Sequence, residues 1–159
     1  MTIRNRLMNI VGMMLLGAPA AAGLALAAPS SPQTQPASAA EPEHIEVQHL
    51  LVGFQGTLPG KPITRTQAEA KALAYELLEK ARKGEDFDAL VKKHTDDAHP
   101  GIYGMSNNGV TPAGGEYPRN RMVAAFGDVG FKLKVGQFGI ADHDPKTSPF
   151  GYHIIKRTK

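Results

Sequence analysis

The sequence predicts a single α+β domain over residues 44–159, on three observations. Side chains from 44 to 54 alternate between two faces, which is the period of a strand. Apolar residues from 66 to 91 recur at helical spacing and predict two helices. One further helix and several short strands follow, without an internal repeat. Helices grouped early against a few strands are typical of an α+β sheet rather than of regular strand–helix–strand winding.

Residues 1–27 have the three-part pattern of a secretory signal peptide. Arg4 and Arg6 precede an apolar run, and small residues lead to Ala25-Leu26-Ala27, after which we expect cleavage. The alternative is an uncleaved membrane anchor, because residues 10–28 carry no charge and are just long enough to span a bilayer. Both interpretations predict an exported protein, periplasmic or extracellular, that is membrane-anchored if the leader is kept. The chain has no cysteine, so its core alone would stabilise it.

Residues 28–43 are rich in Pro, Ser and Ala and have no periodicity, which is typical of a disordered linker. Loss of the leader removes two arginines, so the net charge falls from +3 to +1. A chain so nearly neutral gives no support for a nucleic-acid partner. The remaining residues, 44–159, are enough for one compact core but not for two.

The predicted first strand places Ile45, Val47, His49 and Leu51 on one face. A loop rich in Gly and Pro follows at 55–64. The next helix is predicted to begin after Thr66, which forms a capping-box pattern with Glu69, or at an alternative start after Thr64, and to end at Gly84. The apolar stripes of this helix and of a second, short one contain Leu73, Ala74, Leu77, Leu78, Ala81, Phe87, Leu90 and Val91.

Residues 94–120 are irregular, with one short strand predicted at about 102–105. A loop of this length inside a compact domain is usually functional or mobile. Met122, Phe126 and Val129 mark one face of a third helix, with turns expected at its flanking glycines, Gly127 and Gly130. The rest is predicted as a short segment at 131–133, a turn at 135–137, a strand from 138 to 141, a polar connection at 142–149 and a last strand at 151–155.

The first and last strands each carry a histidine directly before an apolar pair, as His49-Leu50-Leu51 and His153-Ile154-Ile155. If the two strands are antiparallel neighbours, cross-strand pairing would bring the histidine Cβ atoms within about 5 Å. A lone histidine on an apolar strand is usually a core residue with satisfied hydrogen bonds. Two histidines in matching positions can be either a functional pair or a purely structural pair, and the spacing favours neither interpretation.

Four stretches carry a resemblance to a known family: HLLV at 49–52, GEDFDALVKKHTDD at 84–97, RMVAAFGDVGFKLKVGQFG at 121–139 and FGYHIIKRT at 150–158. Through them, nearly all of residues 44–159 resemble the parvulin-type peptidyl-prolyl cis-trans isomerases, or rotamases. The resemblance implies a four-stranded, mainly antiparallel sheet surrounded by three to four helices. It also implies a non-covalent enzyme that assists protein folding by rotating X-Pro bonds in exported or unfolded polypeptides, without metal or cofactor.

The sequence departs from the family pattern in three places. Thr95 stands where the family has a serine, and Ile102 replaces the acid of the usual Gly-Gly-Asp-Leu-Gly-like stretch. An insertion at 106–120 precedes Met122. These changes affect the expected rim of the pocket more than the expected fold.

The resemblance assigns roles to individual residues. Met122 and Phe126 would hold the proline ring, and His49 and His153 would form the floor. Asp97 would lie beside the substrate amide, where it would either polarise the amide or orient a histidine. A hydroxyl such as that of Ser148 or Thr95 would fix the histidine tautomers. Each residue also has an ordinary interpretation, as core, sheet stabiliser or loop carboxylate. The implied catalytic residues are His49, Asp97, Ser148 and His153, and the implied substrate-binding residues are Tyr103, Met122, Phe126 and Phe150.

Proline-containing polypeptides are the expected partners of a chain that we expect to be monomeric. Lys61 and Arg65 flank the first loop without an adjacent basic pair, which favours a solvated loop and predicts no requirement for a phosphorylated substrate. The main rival is a non-catalytic chaperone module that binds peptides in the same groove. A metal site is disfavoured because its candidate ligands lack close spacing; they are His44, His49, His94, His99, His143, Asp96 and Asp142.

Overall fold

A computed structural model describes residues 40–159 of this protein. The predicted signal peptide, the predicted membrane tether at 10–28 and most of the predicted linker lie outside the described residues. Within 40–159, none of the helices combines the length and the apolar character needed to cross a membrane.

The described residues form a mixed five-stranded sheet with three α-helices, which confirms the predicted α+β class. The sheet order is β3-β2-β1-β5-β4, and every pairing is antiparallel except that of β2 with β3. The predicted count of four strands is wrong by one, because β3 adds a short parallel strand at the edge. The elements are β1 (His44–Val52), α1 (Gln67–Arg82), α2 (Phe87–His94), β2 (Ile102–Ser106), β3 (Glu116–Pro118), a 3₁₀ turn (Arg119–Arg121), α3 (Ala124–Lys132), β4 (Phe138–Ala141) and β5 (Tyr152–Arg157).

The central strand β1 divides the apolar residues into two cores, one on each face of the sheet. Leu50 and Val52 pack with α1, α2 and Ile154 of β5 on one face. Ile45 and Val47 pack with α3 on the other face. The alternation of side chains in the sequence therefore predicts the two faces correctly, and both histidines lie on the α3 side.

Helix α1 begins where its capping box predicts. The Thr66 hydroxyl accepts a hydrogen bond from the Glu69 amide at 3.2 Å, and the Glu69 carboxylate accepts one from the Thr66 amide at 2.7 Å. The alternative start after Thr64 is not used. Two of the first-turn amides that lack intrahelical partners are thereby hydrogen-bonded, which is worth about 1 kcal/mol for a typical cap.

Helix α3 differs from its prediction at both ends. Met122 precedes the helix instead of lying in its first turn, and Phe131 continues the helix instead of leaving it. Gly127 and Gly130 lie inside the helix and are not turns. A Cβ at Gly130 would lie 3.3 Å from the side chains of Ile45 and Met105. The glycine thus allows α3 to approach the sheet closely, and this packing outweighs its low helix propensity.

The last residues of the predicted linker contact the folded domain. The amide of Asn107 donates to the Glu43 carbonyl at 2.8 Å, and Arg119 donates to the Glu41 carboxylate at 2.5 Å. The ordered region therefore begins before His44, because polar contacts fix a segment whose composition alone gives no sign of structure.

We predict that Gly151→Ala strongly destabilises the fold. Gly151 has φ of +134°, and a Cβ there would lie 2.3 Å from the carbonyl oxygen of Val52 on the neighbouring strand. Gly136 has φ of +85° with no atom within 4 Å of such a Cβ, so Gly136→Ala is the matched control. In chemical denaturation of the whole chain, we expect Gly151→Ala to lose more than about 3 kcal/mol and the control about 1 kcal/mol. Equal losses would contradict a steric cause.

Candidate functional site

A cleft of about 330 Å³ opens on the α3 face of the sheet. Its floor comes from β1 and β5 in the middle of the sheet, and its walls come from α3 and from the loops. The lining residues are His49, Leu51, Leu58, Asp97, Tyr103, Met122, Val123, Phe126, Phe150 and His153.

The two histidines meet on the floor of this cleft. The antiparallel register puts His49 opposite Ile155 and His153 opposite Leu51, so the histidines are diagonal neighbours and not directly opposed. Their Nδ1 atoms lie 3.3 Å apart, and the ring planes differ by only 17°. Both residues are buried, at 4% exposure each.

The hydrogen bonds determine which ring nitrogens of the two histidines carry a proton. The carboxylate of Asp97 can only accept, so His49 donates from Nε2 to Asp97 Oδ2 at 3.1 Å. With His49 neutral, its Nδ1 accepts from the Nδ1–H of His153. The Nε2 of His153 is then a bare acceptor, and it has no hydrogen-bond partner within residues 40–159. Burial, reinforced by the nearby His49, lowers the pKa of His153 to about 3, so this ring is neutral near pH 7.

Aromatic rings surround the histidine pair on the open side. Phe126 of α3 makes edge-to-face contacts with His49 at 5.2 Å and with His153 at 5.6 Å between ring centroids. Tyr103 of β2 makes a third such contact, 5.2 Å from His49. Phe126 is almost fully buried, whereas Met122 is half-buried at the mouth of the cleft. The result is an apolar cup above two buried imidazoles.

Asp97 is the one formally charged residue in the lining, and its side chain is 40% exposed. The hydrogen bond from His49 lowers the pKa of Asp97, so the carboxylate is ionised at neutral pH. The Tyr103 hydroxyl donates to the same oxygen at 3.4 Å, and burial raises the pKa of this tyrosine. Asp97 thus joins the floor to the wall at the solvent end of the cleft.

The segment that carries Asp97 is held along β1. The Leu51 amide donates to the Thr95 hydroxyl at 3.1 Å, and the Asp96 amide donates to the Leu51 carbonyl at 2.8 Å. Further along, the His49 amide donates to the Gly101 carbonyl at 2.9 Å. These bonds fix the distance between Asp97 and His49.

The expectation that the hydroxyl of Ser148 or Thr95 fixes the histidine tautomers is wrong. The Ser148 hydroxyl is fully buried and donates to the Gly151 carbonyl at 3.0 Å, where it closes the turn before β5. The Thr95 hydroxyl accepts from the backbone, and Asp97 occupies the position next to His49 that the hydroxyl was expected to fill. Ser148 is therefore the one predicted site residue that does not line the cleft. The other seven do, namely His49, Asp97, Tyr103, Met122, Phe126, Phe150 and His153.

Three lining residues were missed in the sequence: Leu51, Leu58 and Val123. Leu51 shares a face with His49, so the alternation of β1 could have identified it. Leu58 is the only large apolar residue between Gln55 and Pro62. An isolated apolar side chain in a loop rich in Gly and Pro could have indicated that it packs against another part of the protein. Within residues 40–159, no cluster of three or more His, Asp or Glu side chains has the arrangement of a metal site.

The loop between β1 and α1, which carries Leu58 over the cleft, is fixed by Arg65. Its guanidinium donates to both carboxylate oxygens of Asp96 and to the Gly53 carbonyl. The Gly53 amide donates in turn to Asp96 at 2.8 Å. The charge of Arg65 is therefore neutralised inside the structure, and the side chain is only 29% exposed.

The sheet, the helix over it and the paired histidines beneath an apolar cup together define a rotamase-type domain. Residues 35–159 match the family model described as the PPIC-type PPIase domain. The chain therefore belongs to the PPIC-type peptidyl-prolyl isomerase family, and the predicted membership is confirmed.

Curated relatives and a solved structure agree with this assignment. Foldase protein PrsA 4 of Bacillus cereus is 35% identical over 72% of this chain and 31% of its own length. Chaperone SurA of Pseudomonas fluorescens is 29% identical over 72% of this chain and 22% of its own length. The chain thus spans about a third or less of these relatives. The solution structure of TbPIN1 shares the fold, with a TM-score of 0.56 and 23% identity over 74% of this chain and 98% of that one.

Because burial lowers the pKa of His153 to about 3, the stability of the protein should depend on pH through this ring. In the unfolded chain a histidine has a pKa of about 6.5, so protonation favours unfolding. Its stabilising contribution is complete above about pH 6.5 and is lost as the pH falls toward 3. Asp97, with a lowered pKa, adds a similar loss only below its ordinary value of 3.8.

We therefore expect the free energy of unfolding of the unmodified protein to fall more steeply than that of His153→Leu between about pH 6.5 and 4.5. The difference should be at most about 1.4 kcal/mol per pH unit, the limit for one proton. Denaturant titrations across this range measure it for both proteins. Parallel pH curves would show that His153 is not the buried neutral ring described above.

Proposed function

We propose that this chain is a peptidyl-prolyl cis-trans isomerase that acts on X-Pro bonds of unfolded polypeptides, with the cleft as its active site. The observation that carries the proposal is an apolar cup, formed by Met122 and Phe126, placed directly above the His49–His153 pair. The membership of the chain in the PPIC-type family and its likeness to a foldase and a chaperone support it.

The reaction needs no covalent step. Rotation about an X-Pro bond faces a barrier of about 18–20 kcal/mol because the amide has partial double-bond character. A site accelerates rotation if it binds the twisted amide better than either planar isomer and removes water from the carbonyl. Each 1.4 kcal/mol of this preference gives about a tenfold increase in rate.

Individual residues have distinct roles in this proposal. Met122 and Phe126 hold the pyrrolidine ring, while Tyr103 and Phe150 exclude water from the carbonyl. His49 and His153 provide the floor, and the neutral ring of His153 adds no charge there that would stabilise the planar amide and its dipole. The Asp97 carboxylate orients His49 through the 3.1 Å hydrogen bond, and we assign it a positioning role. Ser148 acts only through the shape of the turn before β5.

The leader supports an exported location, either free in the periplasm or outside the cell, or tethered through residues 10–28. A monomer that binds proline-containing segments of exported chains is the simplest form of this function. The rival is a peptide-binding chaperone module that uses the same cleft without turnover. The relative named Chaperone SurA favours this rival function. The two differ in refolding, because an isomerase accelerates a proline-limited phase and a holdase slows it.

We predict that Met122→Ala lowers kcat/KM at least about tenfold while the fold persists, because the residue is half-buried and contributes to the cup. Phe126→Ala should lower it further, but should also cost about 3–4 kcal/mol of stability, because this ring is 2% exposed. Exchange spectroscopy of an Ala-Leu-Pro-Phe peptide measures both isomerisation rates without a coupling protease.

The matched control is Val135→Ala, which removes a 63% exposed apolar side chain that does not line the cleft and should leave the rate unchanged. Refolding of a proline-limited client is measured with the same variants. Unchanged turnover in a folded Met122→Ala protein would contradict the assignment of the cup. Slower refolding with no peptide turnover would instead support the chaperone function.

The neutralised Arg65 predicts that a phosphate before proline gives no advantage. Its guanidinium is held by Asp96 and Gly53, and the remaining charge in the cleft is the carboxylate of Asp97, which repels an anion. We expect Leu-Pro and Glu-Pro peptides to be turned over at rates within about tenfold of each other, with phosphoserine-Pro no faster. A preference of about a hundredfold for the phosphopeptide would contradict this account.

A further inference from the structure

The edge strand β3 places an exposed aromatic side chain on the same face as the cleft. Tyr117 pairs with Met105 of β2, and Met105 belongs to the core beneath α3. Paired residues on neighbouring strands point to the same face, so Tyr117 faces the side on which the cleft opens. Its side chain is 51% exposed.

Tyr103 connects Tyr117 to the cleft. Its ring centroid lies 6.0 Å from that of Tyr117 and 6.0 Å from that of Phe126. Tyr103 also lines the cleft and contacts His49. An aromatic surface therefore continues from the proline cup across β2 to the edge of the sheet.

The segment that presents Tyr117 is fixed by polar contacts on both sides. Glu116 accepts hydrogen bonds from the Ala113 amide and from the ring of His44, each at 2.8 Å. At the other end of the segment, Arg119 donates to the side-chain oxygen of Asn107 at 2.9 Å. The hydroxyl of Tyr117 has no hydrogen-bond partner within residues 40–159, so the fixed backbone presents the ring while the hydroxyl stays free. A preorganised ring loses little entropy when a ligand packs on it.

We propose that Tyr117 and Tyr103 form a second binding subsite, which takes an aromatic side chain of the same client polypeptide whose proline occupies the cup. This inference rests on the proposed function. Two steps of 6.0 Å separate Tyr117 from Phe126, so the rings are at most about 12 Å apart. An extended chain advances about 3.3 Å per residue, so at this upper limit the recognised side chain lies about three or four residues from the proline.

The choice of an aromatic occupant follows from the geometry of the two tyrosines. Their ring planes are tilted by 58°, so a third ring can stack on one of them and meet the edge of the other. The carboxylate of Asp97, which accepts a hydrogen bond from Tyr103, borders this surface and disfavours an acidic side chain. The client polypeptide is the occupant because the surface is continuous with the cleft that holds its proline.

The test uses the whole chain and three peptides with the same Ala-Leu-Pro-Ala centre. One has only alanines around it, one has phenylalanine about three or four residues before the proline, and one has it the same distance after. Exchange spectroscopy gives kcat/KM, and chemical-shift titration gives Kd for each peptide. We expect one of the two phenylalanine peptides to be favoured about three- to tenfold over the alanine peptide, through Kd and KM rather than kcat.

The variant Tyr117→Ala should remove this preference and leave the rate on the alanine peptide unchanged. The matched control is Tyr75→Ala, which removes a 39% exposed tyrosine from α1 on the opposite face and should keep the preference. Equal Kd values for all three peptides would overturn the subsite, as would a preference that survives Tyr117→Ala. If no peptide is isomerised, the proposed function fails, and the Kd values still decide whether the subsite exists.

Discussion

The antiparallel register between β1 and β5 is the constraint on which the site depends. It places His49 and His153 as diagonal neighbours at the centre of the sheet, where neither strand is an edge. Because side chains alternate, a slip by one residue would turn one histidine toward α1 and separate the rings. The same register aligns Leu50 with Ile154 in the core on the opposite face. The packing that stabilises the fold therefore also fixes the geometry of the floor.

A chain of polar groups runs from solvent into an apolar interior. It begins at the exposed carboxylate of Asp97, passes through His49 and ends at the buried Nε2 of His153, which has no partner within residues 40–159. Leaving a buried acceptor without a partner costs about 1–3 kcal/mol. The charge stays at the solvent end, because burial keeps the inner ring neutral. The neutral ring of His153 can contact an amide without stabilising the charge separation that keeps the amide planar.

Features that depend on residues close together in the sequence were predicted correctly. Predictions were wrong where contacts between residues far apart in the sequence determine the local structure. The alternation in β1 and the capping box at Thr66 are local signals, and both predicted the structure correctly. Gly130 suggested a turn, but close packing on the sheet keeps it helical. The hydroxyl of Ser148 or Thr95 was expected to fix the histidine tautomers, and orienting a histidine was only one of two roles left open for Asp97. The sequence could not decide between them, because backbone bonds to β1 set the course of the segment that carries Asp97. The short β3, which contains a proline, could not be recognised without its partner strand.

The floor and the rim of the cleft are built in different ways, and this difference bears on specificity. The floor consists of side chains in the middle of a sheet, so a change there disturbs the core between the sheet and α3. The rim consists of loops fixed by a few polar contacts, such as that of Arg65 with Asp96 and that of Glu116 with His44. Since such contacts can change without loss of the sheet, the rim can vary while the floor keeps its geometry. Under the proposed function, the fold would therefore determine the reaction, whereas the loop between β1 and α1 and the segment that ends in β3 would determine which polypeptide is bound.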